Sequence, residues 1–162
     1  QNRTIIAIKI RPYLKSFFMS LYPNQTEPIF MPKRDRFNER LAFVLHKPPI
    51  DYQPSSLYDP LKLHILLPYF KNLDTFRQTY ISPNSQKAFV NSVHQTMIAL
   101  FIDSMLENYI QGFTKYHGIR CFIEKYDLSK YPYMEEKLNK LVYRSIALHK
   151  KYPKRKYDKQ SE

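Results

Sequence analysis

Lys137, Lys140 and Arg144 recur at intervals of three and four residues, and Lys151 continues the series two turns further on. On a helix this spacing gathers the four cations on one face, with Asn139 and Tyr143 at its edge. Ammonium and guanidinium groups neutralise phosphates, and an amide or phenol can hydrogen-bond a base edge, so the set suits a helix laid against nucleic acid. Lys154, Arg155 and Lys156 follow, with Tyr152 and Tyr157 beside them. Cations mixed with rings that stack on bases suit a nucleic-acid-binding arm. A second basic set is Lys33-Arg34-Asp35-Arg36 with Arg40. Arg36 and Arg40 share a face near an expected helix start, where free N–H groups could help hold a phosphate. Opposing residues stand beside both sets. Glu135 and Glu136 suit a helix N-terminus but repel phosphate, and Asp35 and Glu39 can cap the helix and pair with the arginines.

Material for catalysis is sparse. The two glycines, Gly112 and Gly118, exclude a Rossmann fingerprint and a P-loop, which need several glycines close together. The single cysteine, Cys121, excludes an internal disulfide and a Cys-rich zinc site. It is expected in or beside the core of its helix, with no base near it in sequence. The five histidines lack ligand spacing. His94, on an apolar stretch, reads as a hydrogen-bonded core histidine. Asp103 and Glu107 are four apart and could hold a metal, but pairing with basic side chains is the commoner use of that spacing. The expectation is therefore a non-enzymatic protein with no catalytic residue, metal or cofactor. A nuclease built on Asp103, Glu107 and His94 is the third reading.

The charge sets the partner class. Lys and Arg number 26 and Asp and Glu 14, a net charge of +12. Such a balance points to a polyanion, most often nucleic acid, and the candidate groove-reading helix makes double-stranded DNA the expected one. At 162 residues the chain can bury a real core. The longest apolar run, Met97–Ile102, is far short of the roughly 18 residues of a membrane span, and the chain shows no secretory signal.

The elements that must position these residues divide at Pro83. Nine of the 12 prolines lie at or before Pro68, so residues 1–82 read as short strands and helices joined by turns. Ile6, Ile8 and Ile10 alternate as in a strand. Pro12 opens an amphipathic helix that stops before Pro23. Residues 28–31 suit a short strand, and Asp35 caps a helix over 36–46. Residues 47–60 read as a loop, and Leu61, Leu63, Ile65 and Leu67 form the clearest strand. Ser82-Pro83-Asn84-Ser85 starts a long helix to Ile110, with Phe89, Val93, Met97, Leu100 and Ser104 as its inner stripe. That helix is expected to be the most buried. Gly112 caps it. Helices over 116–126 and 134–152 follow, and their lengths suit a helix-turn-helix unit, although the turn between them is long. The fold expected is α+β: an N-terminal α/β part (1–82), a C-terminal helical part (83–152) and a disordered basic tail (153–162).

Arg11-Pro12-Tyr13-Leu14, Ser82-Pro83-Asn84-Ser85-Gln86 and above all Ile119–Leu128 followed by Glu135–Arg144 carry a resemblance. The chain resembles small uncharacterised DNA-associated proteins of phages and mobile elements from gut anaerobic bacteria, mainly over residues 119–144. That resemblance implies a cytoplasmic, DNA-related accessory role and carries over no catalytic or ligand residue. The alternative is a structural or protein-interaction component such as a phage assembly protein, for which tyrosines and phenylalanines also suit an interface. Exposed aromatics set apart from the basic stripe would favour it.

Overall fold

Alternation of Ile6 and Ile8 with Ile5, Ala7 and Lys9 makes β1 (Ile5–Lys9); Ile6 and Ile8 are buried, as is Ile10 just past the strand, whereas Ile5 is exposed. The computed structural model describes residues 4–53, 57–67 and 79–154. Pro12 occupies the first turn of α1 (Pro12–Ser20), where its missing N–H costs nothing. Then come β2 (Ile29–Phe30), α2 (Arg36–Val44), β3 (Leu45–His46), β4 (Lys62–Leu66), β5 (Tyr80–Ile81), α3 (Pro83–Ile110), α4 (Lys115–Lys125) and α5 (Met134–Arg144). The fold is α+β.

The chain forms two compact units, residues 1–94 and 95–162, and the boundary falls inside α3. In unit 1, β4 is the centre of a three-stranded sheet, antiparallel to β1 and parallel to β2. Leu63, Ile65 and Leu67 are buried as their alternation demands. His64 is buried too, because the carboxylate of Glu27 waits for it. One Glu27 oxygen accepts from the His64 backbone N–H and lies at the same 2.8 Å from its Nδ1. The other accepts from Lys15 Nζ at 2.6 Å and Tyr58 OH at 3.1 Å. Three rings, Phe18, Phe37 and Phe89, meet edge-on or tilted with centroids 5.4–6.1 Å apart, a favoured aromatic arrangement. Asp35 caps α2 through Phe37 N, and its other oxygen accepts from Tyr22 OH at 2.6 Å. Burial, and then that carboxylate, push the Tyr22 phenol well above its ordinary range.

Unit 2 is helical. Gly112, at φ +79°, ends α3 in the left-handed conformation glycine supplies. Thr114 caps α4. Phe101, Phe122, Leu138, Val142 and Leu148 are buried in this unit. Asn108 ties its parts together. Its amide donates to Thr114 O at 2.9 Å and Tyr152 OH at 3.0 Å, and Tyr152 OH donates to Met105 O at 2.7 Å. Burial raises the Tyr152 pKa even though the Asn108 bond opposes the shift.

Four expectations change. The helix over 36–46 ends at Val44, because Leu45 and His46 pair with β5 (Leu45 opposite Ile81) and Pro48-Pro49 follow. The buried stripe of α3 is Phe89, Val93, Met97, Phe101 and Met105, whereas Leu100 and Ser104 are half-buried. This four-residue step leaves the opposite face open. The last helix stops at Arg144 rather than running to Tyr152. Ser145 turns extended (ψ 124°), its carbonyl accepts from His149 N at 3.0 Å, and the chain coils so that Leu148 and Tyr152 are buried. Cys121 is exposed, outside the core of α4.

Candidate nucleic-acid interface

α5 buries Met134, Leu138 and Val142, and this stripe decides where its cations go. Lys140 and Arg144 are exposed and Lys137 is half-exposed, one face as the spacing requires. Glu136 takes Lys140 into an exposed i, i+4 ion pair at 3.0 Å, an interaction of about 0.3–0.5 kcal/mol that a phosphate can displace. Asn139 lies on the inner edge, and its Oδ1 is shielded and without a hydrogen-bond partner among the described residues. As placed, it does not offer that oxygen to a base edge, contrary to the expected role.

Tyr143 is the centre of the cluster. Lys115 Nζ donates to its hydroxyl and lies 4.6 Å from its ring centroid, and Lys154 Nζ lies 5.3 Å from the same centroid. Lys115 also stands 4.9 Å over the exposed Tyr116 ring. A cation at the first position of α4 is opposed by the helix dipole, and the Tyr143 face gives it a compensating electron-rich partner. Lys115 was not singled out from the sequence. A lysine directly after an N-cap threonine is the signal that could have drawn notice to it. Lys151, expected on the same helix face, lies beyond α5 because that helix ends early. Its ammonium stands 4.8 Å over the half-exposed Tyr109 ring. Phe113 stacks on His117 at 4.3 Å. Arg155 and Lys156 lie outside the described residues.

Arg36 and Arg40 belong to unit 1. Both are exposed and line a shallow pocket of about 490 Å³ with Glu39 between them, and Arg36 stands 5.5 Å over the Phe37 ring. The Cys121 Sγ lies 3.7 Å from His117 Nε2, a neighbour the sequence reading did not pair with it. His117 Nδ1 in turn lies 3.2 Å from Asn108 Oδ1. His94 is half-buried rather than a core residue, and Asp103 and Glu107 are exposed. Among the described residues no group of three or more His, Cys, Asp or Glu is placed to hold a metal ion, and no helix is long and apolar enough to cross a membrane. No family model matches the chain, and neither a curated protein nor a solved structure matches it significantly.

Proposed function

We propose that this chain is a non-enzymatic nucleic-acid-binding protein whose unit 2 holds double-stranded DNA on the basic face of α5 and the lysine–tyrosine cluster beside it. One observation carries the reading: lysine ammonium groups stand over Tyr109, Tyr116 and Tyr143, so aromatic and cationic surfaces are interleaved rather than set apart. A surface built to bury apolar area against a protein would shed such charges from its centre. Lys115, Lys137, Lys140, Arg144, Lys151 and Lys154 supply phosphate contacts, with Arg155 and Lys156 as an extension. An accessory or regulatory role in the cytoplasm, on a mobile element, follows from the resemblance over residues 119–144 alone. A second reading, a protein-interaction component, draws on Ile110 and Ile146, which are 76% and 88% exposed.

The test is a fluorescence-anisotropy titration with random duplex DNA, single-stranded DNA and RNA at two salt concentrations. Duplex binding at micromolar Kd or tighter, weakened by salt, is expected. The Lys140→Glu/Arg144→Glu double variant should lose at least tenfold in affinity with its helical circular dichroism intact. No binding at low salt would overturn the reading in favour of a protein partner. Unchanged affinity of the double variant would remove α5 from the interface.

A further inference from the structure

Unit 1 holds an open cleft of about 1040 Å³ where the end of β1, the start of α1, the start of β4 and the first half of α3 meet. Lys9, Arg11, Lys62 and Lys87 line it, against the single carboxylate of Asp59. Among the described residues none of the four cations makes an ion pair. Asp59 accepts from Leu61 N at 2.9 Å through Oδ1 and sets one negative charge against the four cations. Lys9 and Lys62 are also direct cross-strand partners in the β1–β4 register. Like charges set opposite each other destabilise a sheet. This sheet bears that cost on the rim of a cavity, where an anionic ligand would remove it. No side chain caps the N-terminus of α1 at Arg11, so the helix adds favourable potential for a negative group there.

The rest of the cleft says what accompanies the anion. Its volume is at the upper end of small-molecule sites, far beyond what a lone phosphate fills. Its exposed lining is mostly apolar, with Leu61 and Val90 available to a flat ring and Asn91 supplying an amide. We propose that this cleft binds a nucleoside phosphate, with Lys9, Arg11, Lys62 and Lys87 on the phosphates and the base against Leu61 and Val90. The site lies wholly within unit 1 and does not depend on the α5 interface. The same chemistry can come as a free nucleotide or as the phosphorylated end of a strand.

Calorimetric titration of the full chain with ATP, adenosine, pyrophosphate and 5′-phosphorylated tetrathymidylate tests this. ATP or the tetranucleotide should bind more tightly than pyrophosphate, and adenosine should not bind. Whichever of the two binds more tightly names the source. Lys62→Glu should weaken that binding at least tenfold. It should also raise the melting temperature of the free protein by about 1–3 °C, because Lys9 then faces an opposite charge. Loss of binding in a more stable protein separates a lost ligand contact from a lost fold. Lys87→Ala should weaken binding at an exposed helical position. ATP binding should not depend on Lys140 and Arg144, and the tetranucleotide is compared in the Lys140→Glu/Arg144→Glu variant, where the α5 face no longer holds it, so failure of one site is read apart from failure of the other. Binding of neither phosphate compound, binding indifferent to Lys62→Glu and Lys87→Ala, or pyrophosphate as tight as ATP would overturn the proposal.

Discussion

Glu27 shows how a charge can be enclosed at a net gain. Its side chain is 7% exposed, and loss of water alone would raise its pKa. The Lys15 ammonium and the two N–H groups of His64 outweigh that penalty and hold the carboxyl below its ordinary value. A depressed carboxyl pKa gives stability that is complete above the unfolded value near ~4.3 and is lost as pH falls through the folded one. Acidification below about pH 4 should therefore destabilise unit 1, and Glu27→Gln should flatten that dependence. At neutral pH the variant should cost about 1.5–3 kcal/mol, the range for hydrogen bonds to charged groups. Urea midpoints measured from pH 3 to 7 check both effects, and an unchanged acid slope in Glu27→Gln would show that another carboxylate carries it. Nothing in the sequence marks this residue. Glu27 lies outside every regular element, and its partners come from α1, β4 and the loop before β4.

At the scale of elements, legibility followed length and periodicity. β1 and β4 announce themselves through alternating Ile and Leu, and α1, α3 and α4 through stripes bounded by Pro12, Pro83 and Gly112. β3 and β5 have two residues each, too short for any period, and exist because each pairs with the other. The early end of α5 was hidden because Leu148 continues the helical stripe by sequence spacing, although it reaches the core through turns. The basic face of α5 was legible because three cations on an eleven-residue helix have few places to go. The partners Lys115 and Tyr109 were not, since ring-over-cation contacts between elements leave no spacing to read. Gly118 gives this scale its prediction. A Cβ there would stand 2.7 Å from both Asn108 Nδ2 and Met105 Sδ. The methionine can move, but the asparagine is held by Thr114 O and Tyr152 OH. Overpacking costs about 1–3 kcal/mol, against about 1 kcal/mol gained from the helix propensity of alanine over glycine. Gly118→Ala should therefore be neutral to destabilising by about 2 kcal/mol in thermal unfolding. A clear rise in melting temperature would mean that the Asn108 contacts yield freely.

For the whole molecule the question is how much of the +12 charge meets a nucleic acid. Each phosphate neutralised on duplex DNA contributes about −0.9 to the slope of log K against log salt, and about −0.7 on a single strand. The cluster of Lys115, Lys137, Lys140, Arg144, Lys151 and Lys154 therefore predicts a slope of about −5 on duplex and about −4 on single strands. Diffuse attraction by the entire net charge would approach about −11 on duplex, a difference well outside the error of a salt titration. The Lys140→Glu/Arg144→Glu variant should reduce the duplex slope by about 2, because two phosphate contacts disappear. A steep slope that survives this variant would mean that binding is spread over the basic surface of both units. A slope of about −5.4 that falls to about −3.6 would confine it to the α5 cluster. Slope and affinity are independent readouts here. Glu136 already holds Lys140, so part of the binding energy goes into breaking that exposed pair, but the number of counterions released still reports how many cations reach the backbone.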